Sequence, residues 1–162
     1  MYEIIPNALT VNLSLERVAT FGKMAWFNEP IKEYQKQILY HAQKYYDLST
    51  MVGFEEWGHV AGLTQLPDIH QDKDEKLATT GIIKTAMCSC IYYHKIKDLI
   101  GADLVLYEED DSNKIICKIK PQENMLVLLS PGVWHGVSRY ISGTRSTVNI
   151  NPWDYPMRKN NS

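Results

Sequence analysis

The second half of the chain consists of short runs of β-forming residues, and no other feature constrains the fold as strongly. Runs rich in Val, Ile, Tyr and Thr alternate with turn residues such as Pro131-Gly132 and Ser142-Gly143. The pattern predicts strands over residues 81–94, 102–107, 114–119, 125–129, 136–140 and 144–150. Short strands joined by tight reversals are typical of β-sandwiches and jelly rolls. We therefore expect a mostly β protein built as a jelly roll.

Helical patterns precede these strands. Apolar residues recur at spacings of three and four over residues 31–48, with Asn28 as a candidate cap and Pro30 in the first turn. A second, shorter helix is predicted over residues 14–24. Because helices must bury their apolar stripe, we expect them to pack against one sheet. The chain then divides into an N-terminal helical buttress at about 12–48 and a jelly-roll core at about 57–153.

Length and charge limit the classes of protein that the chain can represent. Its 162 residues contain no repeat or low-complexity linker, so we expect one domain over residues 1–162. A formal net charge of −2 gives no basic field for nucleic acid or anionic lipid. No apolar run approaches the roughly 20 residues of a membrane-spanning helix. The N-terminus does not resemble a secretory signal, so we expect a cytoplasmic protein without nucleic-acid or membrane partners.

The three cysteines do not suggest a disulfide framework. Cys88 and Cys90 alternate along a predicted strand, so both side chains should lie on one face. With only Cys117 left, a zinc site lacks its full set of ligands. We therefore expect the cysteines to pack in the core.

A His-x-Asp pair is the first candidate for chemistry. Residues two apart on a strand point the same way, so His70 and Asp72 can converge on a metal ion. In isolation the pair fits a solvated turn better than a metal site. His135 follows the apolar strand 125–129 and supplies a candidate third ligand. Two histidines and one carboxylate form the facial set of non-haem Fe(II) oxygenases, which leaves metal positions open.

Arg145 is the fourth candidate residue. It lies ten residues after His135, within a run of β-forming residues where a charged side chain requires a partner. The planar guanidinium can hold a carboxylate through two parallel hydrogen bonds. A dicarboxylic cosubstrate could therefore place one end on Arg145 while its other end binds the metal.

The order of these residues resembles the 2-oxoglutarate- and Fe(II)-dependent dioxygenase family, in its prolyl 4-hydroxylase-like branch. The resemblance runs from about residue 63 to 153 and is carried by His70-x-Asp72, His135 and Arg145, with the flanking stretches 90–93, 101–107, 119–121, 126–130 and 142–153 in the same order. It implies a double-stranded β-helix and Fe(II) held by the two histidines and the aspartate. It also implies 2-oxoglutarate and O₂ as cosubstrates, and it leaves room for ascorbate.

The resemblance implies one further residue, and spacing along the strand adds another. Tyr93 matches the strand tyrosine that helps the arginine hold the distal carboxylate of 2-oxoglutarate. Thr147 lies two residues beyond Arg145, on the same face, where it either adds a hydroxyl hydrogen bond or simply packs.

Three departures from related branches narrow the activity. Gly101-Ala102 replaces a pair of glycines that is frequent in the family, so this turn could be built differently. Asn151 stands where nucleic-acid demethylases have a second arginine. Asp72 is present where halogenases lack the carboxylate. The resemblance therefore implies hydroxylation of a C–H bond, with decarboxylation of 2-oxoglutarate to succinate and CO₂.

The substrate is the least constrained part of the interpretation. The resemblance favours a prolyl residue in a peptide or protein, with a free amino acid or small metabolite as the alternative. Trp57 and Trp134 either line the entrance or pack in the core. The charged segment 71–80 is either a lid or a solvated loop. His41, His59 and His94 show no ligand spacing, so we expect structural or exposed roles, and nothing indicates an oligomeric state.

Two rival functions remain open at this point. A cupin-like jelly-roll binding module could hold zinc or no metal with the same histidines and catalyse nothing. An iron dioxygenase that does not use 2-oxoglutarate is the other alternative. Arg145 argues against that alternative, because such chemistry has no distal carboxylate to hold.

Overall fold

The computed structural model describes residues 1–11, 13, 23–62 and 66–157. Over these residues the chain forms nine strands and two helices. In chain order they are β1 (Tyr2–Ile5), β2 (Met24–Phe27), α1 (Glu33–Ala42), β3 (Gly53–Val60), α2 (Glu75–Ala78), β4 (Ser89–Gly101), β5 (Leu104–Tyr107), β6 (Ile115–Ile119), β7 (Met125–Leu129), β8 (Trp134–Val137) and β9 (Tyr140–Trp153).

The strands form two antiparallel sheets. The larger sheet has the order β1-β7-β4-β9-β3-β2, and the smaller has the order β6-β5-β8. An isolated bridge between His70 and His135 adds the segment before α2 to the edge of β8. From β3 onward the chain passes repeatedly between the sheets, because β4, β7 and β9 lie in the larger one and β5, β6 and β8 in the smaller. The predicted mostly β architecture is confirmed at this level.

Alternation along the strands gives the larger sheet two buried faces. On its outer face, α1 contributes Ile38 and Ala42 to a core that also contains Leu126 and Leu128 of β7. On its inner face, the side chain of Val127 belongs to a second core with residues of the smaller sheet. Successive residues of a strand point to opposite faces, so one strand serves both cores. The helix thus braces the larger sheet from outside, and the inner space is left for a site.

The first helix is shorter than its periodicity predicts. It begins at Glu33 after Lys32, and not near the predicted cap Asn28. The side-chain oxygen of Gln35 accepts hydrogen bonds from the backbone N–H groups of Ile31 and Lys32, which satisfies donors that helix starts leave open. The helix ends at Ala42, and the chain then turns toward β3. The predicted helix over 14–24 falls mainly outside the described residues, and at its end Met24 begins a strand.

The predicted strands are present, with shifted ends. The first predicted strand starts late, at Ser89, because residues 81–88 form a turn and an irregular segment with one isolated bridge, between Thr85 and Lys73. Its partner β9 runs over Tyr140–Trp153, well beyond the predicted 144–150, because the two strands pair along most of their lengths. The eighth strand starts earlier than predicted, at Trp134. β1, β2 and β3 were not predicted, since their pairing depends on distant partners.

The cysteines lie where the sequence predicts. Cys88 and Cys90 are buried in the outer core with their sulfur atoms 4.0 Å apart, and none of the three cysteines forms a disulfide. A search of the described residues for an apolar helix long enough to span a bilayer found no candidate.

Candidate metal centre

Three side chains that the sequence singles out converge between the sheets. The ligand atoms of His70, Asp72 and His135 all lie within 4.8 Å of one another. Nε2 of His70 is 3.3 Å from Oδ1 of Asp72, and Nε2 of His135 is 3.6 Å from Oδ2 of the same carboxylate. The two imidazole centroids are 4.3 Å apart. The arrangement can therefore place two nitrogens and one oxygen on a single ion.

Backbone pairing brings the two histidines together. The N–H of His70 donates to the carbonyl of His135 at 2.9 Å, and the reverse bond has the same length. His135 is itself fixed in β8, where it pairs with Leu106 of β5. Because directly paired residues present their side chains on the same face, both imidazoles point to the same side of the smaller sheet. Residues far apart in the sequence thus form one half of the site.

The carboxylate is held from the larger sheet. The hydroxyl of Ser89, at the start of β4, donates to Oδ2 of Asp72 at 2.5 Å. The carbonyl of Asp72 accepts from the N–H of Ala86 at 3.0 Å. The side-chain amide of Gln71 donates to the carbonyl of Gly132 at 2.8 Å, which ties the segment to the turn before β8. Asp72 is therefore anchored in position before any ion binds.

Hydrogen bonds also indicate which nitrogen of each imidazole carries the proton. Nδ1 of His70 lies 2.7 Å from the carbonyl of Asp68, and Nδ1 of His135 lies 2.9 Å from that of Val133. A carbonyl only accepts, so Nδ1 carries the proton in each ring. In each neutral ring this leaves Nε2 with the lone pair that a metal-binding histidine requires, whereas a protonated His70 donates from Nε2 to Asp72.

The electrostatics of the cluster favour an ionised carboxylate. Burial raises the pKa of Asp72, but the charge of His135 and the hydrogen bonds from His70 and Ser89 outweigh it, so the pKa lies well below its usual range. Burial lowers the pKa of His135 and keeps it below its ordinary value, although Asp72 opposes this. Burial also lowers the pKa of His70, but the bond to Asp72 reverses the direction and the net pKa is raised. An oxygen and two nitrogen donors of this kind suit divalent iron, and also zinc or manganese.

The cluster opens into a cavity of about 200 Å³ between the sheets. Apolar side chains of Ile91, Leu104 and Val137 form part of its wall. Its polar lining comes from the three ligand residues and from Glu55, Trp57, His59, Gln71, Lys73, Glu75, Arg145, Thr147, Asn149 and Asn151. The cavity therefore joins the candidate ligands to the predicted carboxylate-binding arginine.

Arg145 is buried with unused hydrogen-bonding capacity. It is 2% exposed, and its Nε donates to the carbonyl of Ala102 at 3.2 Å. Its Nη1 has no hydrogen-bond partner among the described residues. Burial lowers its pKa, an effect that Tyr93 and Asp103 oppose. A buried guanidinium nitrogen without an acceptor is costly, so the site fits an anionic ligand.

Tyr93 lies beside this guanidinium. The Arg145 carbon Cζ is 5.3 Å from the centre of the tyrosine ring. The Tyr93 hydroxyl is fully buried and has no hydrogen-bond partner within the described residues. Burial raises its pKa and Arg145 opposes the rise, so the hydroxyl remains a protonated donor. Thr147 pairs with Tyr93 across the sheet and lines the cavity. Both residues therefore lie near Arg145, and their contact with a cosubstrate stays a prediction.

The two tryptophans have different locations. Trp57 lines the cavity, whereas Trp134 lines a separate groove with Met1, Tyr107 and Val133. Of the two alternatives left open for these residues, the structure places Trp57 in the cavity wall but not Trp134, because β8 points His135 into the cavity and its neighbour to the other side. Segment 71–80 contributes Gln71, Lys73 and Glu75 to the lining and contains α2, which Asp74 caps through the N–H of Leu77. Its role as a lid stays a prediction.

Sequence reasoning missed the wall that β3 contributes. Glu55, Trp57 and His59 line the cavity from this strand, and Asn149 and Asn151 do so from β9. His59 was expected to be structural or exposed, and the structure adds that it lines the cavity while it accepts a hydrogen bond from Trp57. The missing signal is the period-two alternation of polar and aromatic residues at 55, 57 and 59, which becomes visible only once β3 is assigned as a strand.

No family model matches the chain, and no curated protein resembles it significantly. Among solved structures, the chain is similar to a prolyl hydroxylase from Trichoplax adhaerens in complex with a peptide fragment of the hypoxia inducible factor oxygen degradation domain. The identity is 15% and the TM-score 0.49, and the match covers 99% of this chain and 87% of the other. The chemistry proposed below rests on the residues of this chain.

Proposed function

We propose that this protein is a 2-oxoglutarate- and Fe(II)-dependent dioxygenase that hydroxylates a prolyl residue in a peptide or protein. One observation carries the proposal: a cavity connects a His-Asp-His cluster, with ligand atoms within 4.8 Å, to a buried arginine that lacks a partner for Nη1 among the described residues. The first group can hold a divalent metal, and the second can hold a carboxylate. A dicarboxylic cosubstrate needs both.

The residues fit the iron and the cosubstrate. Two nitrogens and one carboxylate leave three positions free on an octahedral ion. When bound, Fe(II) would supply the activation of O₂ that couples decarboxylation of 2-oxoglutarate, to succinate and CO₂, with insertion of one oxygen atom into a substrate C–H bond. The protein holds the ion through His70, Asp72 and His135 and holds the distal carboxylate through Arg145 and Tyr93. The apolar side chains of Ile91, Leu104 and Val137 line the cavity that joins these two groups, where they disfavour bound water.

The topology supports a double-stranded β-helix as the scaffold. From β3 to β9 the chain passes between the larger and the smaller sheet, and the His70 bridge adds a fourth member to the smaller one. In such a fold the two sheets face each other and the ligands project inward from the smaller sheet. His70 and His135 occupy neighbouring positions at its edge.

A prolyl substrate is favoured over the alternatives by the sequence resemblance and by Trp57. Its half-buried indole lies in the wall of the cavity that holds the triad, and an aromatic face suits a saturated ring. The net charge of −2 gives no support to a nucleic-acid substrate. A free amino acid or small metabolite remains the second candidate, because Asn149 and Asn151 add amide groups to the same wall.

Turnover tests the proposal directly. Purified protein with Fe(II), O₂ and 2-oxoglutarate should form succinate, and a library of proline-containing peptides should yield products with one added oxygen atom. His135→Ala should abolish both signals, and His94→Ala, outside the cavity lining, should preserve them. A protein that binds zinc tightly and forms no succinate with any substrate would instead be a jelly-roll binding module.

A further inference from the structure

His59 belongs to the same cavity as the candidate iron ligands and Arg145, yet the proposed function assigns it no role. It projects from β3 on the face that also carries Trp57. Its strand partner is Thr147 of β9, and the partner of Thr147 on the other side is Tyr93. These three residues therefore form one row across the inner face of the larger sheet.

This row lies between the two anchors of the proposed cosubstrate. Arg145 precedes Thr147 by two residues on β9. Ser89 holds Asp72 and directly precedes Cys90 on β4. Cys90 pairs with Ile150 of β9, which lies beyond Thr147 in the direction away from Arg145. Two residues along a strand span about 6.6 Å. The row that contains His59 therefore lies between Arg145 on one side and Ser89, which anchors Asp72, on the other. The electrostatic neighbours of His59 agree, because Arg145, His70 and Asp72 all affect its pKa.

Trp57 fixes the tautomer of His59. Its indole Nε1 donates to Nε2 of His59 at 3.1 Å. Indole nitrogen is only a donor, so Nε2 must accept and the proton of the neutral ring lies on Nδ1. Burial, with smaller contributions from Arg145 and His70, lowers the pKa of His59 to about 4, so the ring is neutral near pH 7. Nδ1 is buried and has no hydrogen-bond partner among the residues that the structure describes.

Three buried donors without hydrogen-bond partners in the described part of the chain belong to neighbouring rows on the inner face of the larger sheet, and two of the residues, His59 and Arg145, line the cavity. They are Nδ1 of His59, the hydroxyl of Tyr93 and Nη1 of Arg145. Buried donors normally have acceptors, so three together indicate a ligand rich in acceptor oxygens. A dicarboxylate that also carries a 2-oxo group meets this description better than the C–H bond of a second substrate.

We propose that His59 donates a hydrogen bond from Nδ1 to an oxygen of bound 2-oxoglutarate, and that Trp57 is the positioning residue that keeps the proton on Nδ1. This inference rests on the proposed function and adds a cosubstrate-binding residue to it. His59 would contact the part of the molecule between the distal carboxylate on Arg145 and the metal cluster. The role depends on a donor at Nδ1, and not on the imidazole as a base.

Variants at both residues separate this role from simple packing. His59→Leu removes the donor, His59→Asn restores one near the position of Nδ1, and Trp57→Phe removes the bond that fixes the tautomer. Calorimetry under nitrogen with Fe(II) should show 2-oxoglutarate binding weakened by about 10- to 100-fold in His59→Leu, the range for a lost hydrogen bond to a charged group. His59→Asn should recover most of the affinity, and Trp57→Phe should weaken it several-fold. His94→Leu is the matched control and should bind as the wild type does.

A second readout does not require iron or turnover. Nitrogen NMR of the metal-free protein should show His59 protonated at Nδ1 alone, and Trp57→Phe should show a mixture of the two tautomers. Protonation at Nε2 in the wild type would overturn the proposal. So would unchanged 2-oxoglutarate affinity in a folded His59→Leu protein. If His59→Leu fails to fold, unchanged affinity in Trp57→Phe together with an unchanged tautomer refutes the role of Trp57.

Different results refute the role of His59 and the proposed function. Wild-type protein that binds Fe(II) and 2-oxoglutarate, with loss of 2-oxoglutarate binding in Arg145→Ala but not in the His59 variants, would refute only the role of His59. Wild-type protein that binds no 2-oxoglutarate would refute the proposed function, and the role of His59 with it.

Discussion

Replacing Arg145 by methionine should separate ligand binding from stability. The wild-type guanidinium is 2% exposed, bonds to Ala102 through Nε and leaves Nη1 without a partner among the described residues. An unsatisfied buried polar group costs about 1–3 kcal/mol. Methionine has a similar length and carries no charge, so Arg145→Met removes that cost and also removes the bond to Ala102, worth about 1 kcal/mol. The ligand-free variant should therefore be as stable as the wild type, or more stable by up to about 2 kcal/mol.

Binding should change in the opposite direction. Two charge-assisted hydrogen bonds at about 1.5–3 kcal/mol each give a loss of about 3–6 kcal/mol, which corresponds to about a 10²- to 10⁴-fold weaker affinity. A ligand at 100 times its Kd stabilises the folded state by about 2.7 kcal/mol. At 2-oxoglutarate and Fe(II) concentrations that saturate the wild type, only the wild type should gain this stabilisation.

Scanning calorimetry under nitrogen measures both effects on the same samples. For a chain of this length, about 1 kcal/mol shifts the Tm by about 2–4 °C. The Tm of Arg145→Met should match or exceed that of the wild type without ligand and should fall below it with Fe(II) and 2-oxoglutarate. Arg139→Met, at an exposed arginine, is the control and should leave both values unchanged. A ligand-free variant destabilised by more than about 2 kcal/mol would show that Arg145 serves packing, and the reasoning would be refuted.

Three further predictions follow from the anchoring and packing of the site. Ser89→Ala removes the hydroxyl that donates to Asp72 and should weaken Fe(II) affinity by about 10- to 100-fold in an anaerobic titration; unchanged affinity would mean that the carboxylate needs no anchor. Leu128→Ala should lower the free energy of unfolding by about 2–5 kcal/mol in urea, because the side chain is fully buried in the outer core, while Fe(II) affinity is retained. Gly143→Ala should lower the Tm more than Gly81→Ala, since both have positive φ but only at Gly143 would a Cβ lie 2.2 Å from a carbonyl oxygen, and equal losses would contradict this.

The candidate site was largely predictable because its ligands follow strong local patterns. His70 and Asp72 are two residues apart, and His135 and Arg145 follow turns that a reader of the sequence can place. Their convergence then depends on one bridge between His70 and His135 and one hydroxyl from Ser89. Such pairings between distant segments carry no local signature. The sequence therefore indicates which residues take part, while the fold supplies their spacing.

The wall opposite the ligands was not predictable for a related reason. β3 contains Glu55 and Glu56 in succession, which obscures the alternation expected of a strand. Both are buried because β3 lies inside the larger sheet between β2 and β9. Without that strand, His59 has no visible relation to Thr147, and Trp57 cannot be told apart from a core residue. Tertiary pairing overrides local preference here.

An anaerobic titration tests the central claim most directly. Metal-free protein would receive Fe(II) and then 2-oxoglutarate while the visible spectrum is recorded, because 2-oxoglutarate chelated to Fe(II) gives a weak charge-transfer band. We expect the band in the wild type and in His94→Ala, and we expect its loss in His135→Ala and, at moderate 2-oxoglutarate concentration, in Arg145→Met. A wild-type protein that binds Fe(II) without developing the band, or that binds no Fe(II), would contradict the assignment.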